Sequence, residues 1–381
     1  MSFDLRVWGR QPGDLEAVLS GSVGWTRQEH GFALERAQWQ IMVSRPHKLE
    51  PEDVPPVVSM ELPGPSLLVE VTLEPAGASD SARKMALKTA RAIASAMSGV
   101  VEDPQSDTRS LPRGVKRFVK PRREERFSQL TLSWWYADSP LRSVEGVRRL
   151  FSIFERHVPE AVPHRYGLYE PLQYKTADAG LDELSSFLCE NIDESPMFRT
   201  TRPVVDLHIA DCGVMERGHL GFKSNLLDVS IEVDVLKQPG WAAAVRSLWR
   251  EVSAFLGPFY GEARVTAGHL WEGATSNSDL VTDVHPVRSW WWRGIPPKPG
   301  VALVLGAPYS DLWKPPSATT IGGLAFVEPN NWGAQQPLAT EIPDELAQRW
   351  MPSWTAVSGG GHTVNWCNEL PPCWPFANDL S

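Results

Sequence analysis

Cysteine is scarce in this chain. Four are spread over 381 residues, Cys189, Cys212, Cys367 and Cys373, too few to frame a fold of this length with disulfides. Reduced, mostly structural thiols in the cytoplasm are expected. Long hydrophobic runs are missing, which excludes a bilayer-spanning helix. The opening residues Met1-Ser2-Phe3-Asp4-Leu5-Arg6-Val7-Trp8 put charge where a signal peptide needs its apolar stretch. Neither secretion nor a membrane anchor is therefore expected. Positive charge is in deficit: 37 Lys and Arg against 46 Asp and Glu give a net charge of −9. That disfavours non-specific attachment to nucleic acid or to an anionic membrane, because like charges repel. Familiar catalytic signatures are also absent. The sequence has no G-x-S-x-G, no H-E-x-x-H, no Walker sequence, and no G-x-G-x-x-G between a strand and a helix. The histidines are scattered, and no cofactor is expected.

Tryptophan and proline are abundant, with 17 and 33 residues. Proline is excluded from helix interiors and central strands, while tryptophan buries a large area and wants a partner for its N–H. Together they predict long, stiff connections packed down by aromatic anchors. One pattern occurs twice. An alternating apolar strand leads into an amphipathic helix, and the helix gives way to a Tyr-Gly pair. The first copy is Leu130, Leu132 and Trp134, then Val147, Leu150, Phe151 and Phe154, then Tyr166-Gly167. The second is Val229, Ile231 and Val233, then Val245, Leu248, Trp249 and Val252, then Tyr260-Gly261. Both glycines are expected to supply positive φ at tight turns.

Ahead of the repeat, residues 1–108 read as strand, helix, strand, strand, helix, strand. Ser66 to Leu73 is a strand, and Ser79 or Asp80 caps a helix through Met97 that Gly99 ends. The fold class is α+β: tandem ferredoxin-like (split βαβ) units with antiparallel sheets and a Trp/Pro-rich C-terminal region. The expected divisions are 1–108, 109–195 (the first repeat with a basic loop) and 196–381 (the second repeat with its extension).

Three constellations carry chemistry. Asp206 and His208 point the same way on a strand, and with Asp211 and Cys212 they form a ligand set for Zn²⁺ or Fe²⁺ in a metal-dependent hydrolase. The plainer alternative, which we favour, is a solvent-facing strand whose Val205, Leu207 and Ile209 face the core. The basic stretch Arg109 to Arg126, with Phe118 and Phe127, has the residue types of a nucleic-acid module. Pro112 and Pro121 break any helix there, and a solvated hairpin is the simpler reading. Finally, neighbouring tryptophans on a strand face opposite sides. At least one member of Trp134-Trp135 and of Trp290-Trp291-Trp292 must therefore leave the main core, to pack under a loop or to meet a partner.

The run from Trp290 to Gly323, WWWRGIPPKPGVALVLGAPYSDLW…IGG, with Phe259-Tyr260-Gly261 before it, resembles the closing portion of bacterial immunity proteins that neutralise polymorphic or type VI secretion toxins. The resemblance implies a cytoplasmic α+β protein that binds a cognate toxin and blocks its active site without catalysis of its own. An acidic surface is consistent with steering onto a basic toxin. The expectation is a non-catalytic protein-binding protein. Exposed members of Trp134, Trp135, Trp290, Trp291 and Trp292 would anchor the partner, ringed by Glu232, Asp234 and Glu272. Oligomeric state is left open.

Overall fold

The computed structural model describes residues 2–20, 24–106, 108–111, 125–211, 216–218, 221–272, 275–277, 291–292, 294–296, 299–332, 336–343, 346, 353–357 and 361–365. The protein is mixed α+β with antiparallel sheets. Its contacts define two units, residues 1–124 with 271–275, and residues 125–270 with 276–381. No helix among the described residues is long and apolar enough to cross a membrane.

In the first unit β1 (Phe3–Gly9) leads to α1 (Leu15–Ser20) and a meander of β2 (Trp25–Gln28), β3 (Gly31–Arg36) and β4 (Trp39–Ser44). The short β5 (His47–Lys48) and α2 (Pro56–Glu61) follow. Then come β6 (Leu67–Glu74), α3 (Asp80–Ala96), β7 (Val100–Asp103) and β8 (Thr108–Ser110). The sheet order is β2-β3-β4-β6-β1-β7-β8, with β5 beside β6. The path β6-α3-β7 therefore straddles β1, which pairs antiparallel with both strands. Alternation sets the faces. Leu5, Val7, Ile41, Val43, Val69, Val71 and Leu73 pack against Leu15 and Leu19 of α1 and Ala82, Ala86, Ala90 and Ile93 of α3. On the reverse face Trp8, Leu68 and Val100 meet Leu49, Val54, Val58 and Leu62. The Trp8 indole N–H donates to Glu102 at 2.9 Å, which satisfies it in the interior.

Ser79 caps α3, accepting from the Ala82 N–H at 3.4 Å. The other end departs from expectation. Ser98, and not Gly99, takes the left-handed conformation, at φ 50°. Gly99 is needed for space instead, since a Cβ there would lie 2.2 Å from the Trp8 carbonyl oxygen.

The second unit opens with β9 (Glu125–Tyr136) and α4 (Val144–His157), followed by β10 (Arg165–Gly167), β11 (Tyr174–Lys175), α5 (Thr176–Asn191) and β12 (Met197–Arg199). Next are β13 (Val204–Ala210), β14 (Glu216–Gly218), β15 (Gly221–Lys223), β16 (Asn225–Glu232) and α6 (Trp241–Leu256). The rest comprises β17 (Tyr260–Glu272), β18 (Thr275–Asn277), β19 (Trp291–Trp292), β20 (Ala302–Leu305), α7 (Tyr309–Leu312), β21 (Thr319–Ile321), β22 (Leu324–Val327), β23 (Ser353–Val357) and β24 (Gly361–Asn365). The main sheet runs β13-β16-β9-β17-β20-β22-β21, with β18 beside β17. Smaller sheets are β11-β10-β12, β14-β15-β19 and the hairpin β23-β24.

The two copies of the repeat lie side by side. Their strands β9 and β16 pair antiparallel, with Leu132 opposite Val229 and Leu130 opposite Ile231. From residue 125 onward the segments 109–195 and 196–381 thus contribute to one sheet, and apart from residues 271–275 they fall in one unit. After the helices the copies diverge: Tyr166-Gly167 enters the small sheet, whereas Tyr260-Gly261 begins β17 of the main sheet. Neither glycine has positive φ. Gly261 is held to glycine by crowding, because a Cβ would meet Val304 Cγ1 at 2.5 Å and Trp249 Cη2 at 3.1 Å.

Each face of the main sheet is covered. Leu130, Leu132, Trp134 and Tyr136 point towards Val147, Leu150, Phe151 and Phe154 of α4 and Val245, Leu248, Trp249 and Val252 of α6. The Trp134 ring lies 5.1 Å from that of Trp249, and its N–H donates to Ser253 Oγ at 2.9 Å. On the opposite face Trp135 joins Leu226, Phe259, Tyr260, Trp292, Leu303, Leu305 and Tyr309. Tyr260 donates to Glu262 at 2.6 Å; burial first, and the Glu262 charge second, hold its phenol protonated well above the ordinary range.

Two predictions follow from the helix layer. Trp134→Ala should lower unfolding free energy by about 3–5 kcal/mol, and Trp134→Phe by less, since it keeps most of the volume and loses the bond to Ser253; urea unfolding measures both. The second concerns Glu251 of α6, which meets His157 of α4 at 2.5 Å and also pairs with Arg156. The hydrogen bond from His157 is the largest influence holding its carboxyl below the ordinary value of 4.5, and Arg156 adds to it. A carboxyl depressed on folding stabilises above its unfolded value, and that contribution is lost as pH falls through the folded value. Thermal melts from neutral pH to below 4.5 should therefore show Glu251→Gln destabilised at neutral pH, with the difference from the native protein shrinking on acidification.

Candidate recognition surface

The small sheet of the second unit is built around an aromatic stack. Tyr166 on β10 pairs with Tyr174 on β11 and Phe198 on β12. The Tyr166 and Tyr174 rings stack at 5.4 Å and 24°, and Phe187 of α5 packs on both, at 4.9 and 5.3 Å. Tyr166 is wholly enclosed. Burial first, then the nearby Glu183 charge, raises its phenol above the ordinary range.

The loop leaving β10 is fixed by one side chain. Gln173 Oε1 accepts from the Leu168 N–H at 2.9 Å, while its Nε2 donates to the carbonyls of Tyr169 and Pro171 at 2.5 and 2.6 Å. Gly167 leaves room for this staple, since a Cβ there would stand 2.2 Å from Gln173 Oε1. Arg199 grips Glu170 at 3.1 Å, and the Arg165 guanidinium donates to the Leu172 carbonyl. The result is a braced turn that holds large apolar side chains in solvent. Leu168 is 37%, Tyr169 57%, Tyr174 44% and Met197 45% exposed. Met197 pairs with Gly167 across the sheet, adjacent to Leu168. Glu170 on the loop and Asp178, Asp182 and Glu183 on α5 are exposed. An apolar centre with charged neighbours is the usual composition of a recognition patch.

The residues singled out from sequence are placed otherwise. Trp134 and Trp135 are both enclosed, at 0% and 1% exposure. Trp135 does leave the main core, but enters a second core and not solvent. Trp292 belongs to that second core, 5.5 Å from Trp135, and donates to the Tyr309 hydroxyl at 2.8 Å. These three therefore offer no exposed indole. Trp134 is covered by α4 and α6, and Trp135 by Phe259, Tyr260, Trp292, Leu303, Leu305 and Tyr309. Trp291 lies on β19 opposite Lys223, with its side chain outside the described residues, as is all of Trp290. Glu232 pairs with Arg202 at 2.7 Å, and Arg202 also holds Glu125 at 2.7 Å. The Arg202 guanidinium is held above its ordinary range, chiefly by its bonds to Glu125 and Glu232. In register, Glu232 lies opposite Gln129, whereas Trp135 faces Leu226. That is about 20 Å along the strand, so Glu232 does not ring the tryptophans. Asp234 is exposed and pairs with Lys237 at 2.6 Å. Glu272 ends β17, and its side chain is outside the described residues.

Asp206 and His208 share the exposed side of β13. Asp211 is turned away into a structural contact. Its carboxylate accepts from Arg142 Nε at 3.0 Å and from the Ser139 hydroxyl, with its side chain fully enclosed. Cys212 is outside the described residues, and among those described no group of three or more His, Cys, Asp or Glu is placed to hold a metal. Of the basic stretch, residues 112–124 are also outside. Arg109 pairs with Glu102 at 3.3 Å and Glu61 at 3.8 Å.

The Leu168–Met197 patch escaped the reading of the sequence, although a signal was present: Tyr166, Tyr169 and Tyr174 are three of only six tyrosines.

Comparison with solved structures finds several likenesses. A Pseudomonas aeruginosa T6SS protein, PA0821, is similar over 64% of this chain and 80% of its own, at 14% identity and a TM-score of 0.35. No family model matches the sequence, and no curated protein matches it.

Gln173→Ala should release the braced turn. We expect faster hydrogen exchange at Leu168 to Gln173 and a stability loss of about 1–3 kcal/mol, with exchange in α4 and α6 unchanged.

Proposed function

We propose that this chain is a non-catalytic protein-binding protein, a bacterial immunity or defence factor that neutralises a toxin or effector in the cytoplasm. The observation that carries the reading is the braced apolar turn, with Leu168, Tyr169, Tyr174 and Met197 held out in solvent. Holding such side chains in one conformation lowers the ordering cost of association, and tyrosine is prominent among residues that dominate binding energy. The net charge of −9 favours a basic partner through long-range attraction. Trp290 and Trp291 are retained as further candidate anchors.

The finer architecture belongs to the same reading. The order β4-β6-β1-β7 in the first unit and β13-β16-β9-β17 in the second supports reading the chain as two successive ferredoxin-like units. Helices α1 and α3, and then α4 and α6, serve as the crossovers.

The test is co-expression with each secreted toxin candidate encoded by genes adjacent to its own. The native protein should restore growth and bind the toxin. Tyr169→Glu combined with Met197→Glu, in a protein of unchanged circular dichroism, should weaken binding by at least roughly 100-fold, about 2.7 kcal/mol. Binding unchanged by that pair would remove the turn from recognition, and absence of any binding by the native protein would overturn the reading.

A further inference from the structure

A polar cavity adjoins the second core of the second unit. Alternation along the strands places its walls. On β9, Thr131 and Ser133 share the face of Trp135. Across the sheet Asp228 of β16 lies opposite Ser133, just as Leu226 lies opposite Trp135. On the other side of β9 runs β17. Its Tyr260 ring packs on Trp135 at 5.4 Å, so Glu262, Arg264 and Thr266, at alternate positions of the same strand, project from that face too. Together these side chains surround a cavity in which the centre of a water-sized sphere has about 20 Å³ to move.

The walls are largely shut off from solvent. Glu262 is 1% exposed, Thr131 and Thr266 are each 8% exposed, and Asp228 Oδ1 is buried. Glu262 accepts from the Tyr260 hydroxyl at 2.6 Å and from Arg264 Nε at 2.5 Å. Thr131 meets Gln129 at 3.0 Å and Ser230 at 3.1 Å, and Thr266 meets His269 at 2.7 Å. A hydroxyl can donate one hydrogen bond and accept two, so both threonines retain capacity. The half-buried Ser133 hydroxyl makes no hydrogen bond among the described residues.

A cavity that admits a water-sized sphere and offers it several polar partners is a wet one, whereas the cavities that stay empty are apolar. The lining decides the occupant. Asp228 and Glu262 offer acceptors, Arg264 is a donor, and the three hydroxyls serve as either. Water donates and accepts, so it suits all of them. A metal ion or an ammonium has no acceptor to give the guanidinium and is repelled by its charge. An apolar occupant would leave the Ser133 hydroxyl unpaired. We propose that this cavity is the binding site of one ordered water molecule that bridges β16, β9 and β17. The water donates to the carboxylates of Asp228 and Glu262 and accepts from the Ser133 hydroxyl. The inference is independent of the protein-binding reading and uses none of the residues of the braced turn.

The experiment is oxygen-17 magnetic relaxation dispersion on the full chain, which counts internal waters that tumble with the protein. Ser133→Val suits a strand and fills the space with methyl groups. With circular dichroism unchanged, it should lower the count by about one water. Ser133→Ala keeps the space open and should retain the water on the two carboxylates. Loss in both variants would also support the site, with Ser133 as its indispensable partner. A count unchanged by Ser133→Val would overturn it. Should that variant fail to fold, a crystal structure of the native protein decides. A density peak within about 2.7–3.2 Å of Ser133 Oγ and of either carboxylate supports the water, and a bare cavity overturns it. A peak ringed by six or more oxygens at about 2.3–2.6 Å, the geometry of a bound calcium ion, would overturn it in favour of a cation.

Discussion

Two adjacent tryptophans on one strand organise the second unit. Alternation along β9 sends Trp134 to the helix side and Trp135 to the other, and each is surrounded by its own core. A large indole on both faces at the same point requires cover on both. On one side α6 supplies Trp249 and the Ser253 hydroxyl. On the other, Phe259, Tyr260, Trp292 and Tyr309 close over Trp135. The helices of the repeat cover one face of the sheet, and Trp292, Leu303, Leu305 and Tyr309 from the chain after α6 pack on the other.

Duplication and divergence meet in the same sheet. The copies contribute β9 and β16 as antiparallel neighbours, with Glu251 of α6 clasping Arg156 and His157 of α4. After the helices the copies part. The second continues directly into the sheet as β17, while the first makes the small layer of β10, β11, β12 and α5 before returning as β13. That detour carries the braced turn. The exposed aromatic surface thus sits on the element by which the first copy differs from the second.

Local features were legible in the sequence and long-range ones were not. The cap at Ser79 located the start of α3, and Leu207 and Ile209 located β13, because burial of one face is written at fixed intervals. Val205, expected on the same face, is only half-buried, since a register shift between Val204 and Asp206 turns Val204 inward instead. The opposite orientation of Trp134 and Trp135 was also legible. What covers Trp135 was not, since Trp292 and Tyr309 lie far along the chain. Asp211 drew attention by its closeness in sequence to Asp206 and His208, yet its partners Ser139 and Arg142 belong to the turn before α4. The patch of Leu168, Tyr169, Tyr174 and Met197 depends on a strand register that pairs Gly167 with Met197, and no periodicity encodes that. The three glycines assigned to turns by their chemistry, Gly99, Gly167 and Gly261, are required by close approach of neighbouring atoms.

The place of β9 in the sheet bears on how the molecule is made. Its neighbour β16 begins at Asn225, roughly ninety residues after β9 ends at Tyr136, and β17 comes later still. At ribosomal rates of about 5–20 residues per second, the two indoles wait roughly 5–20 s for their first strand partner. During synthesis this strand is an unpaired edge with aromatic surface on either side, the form of nascent chain most in need of chaperone cover.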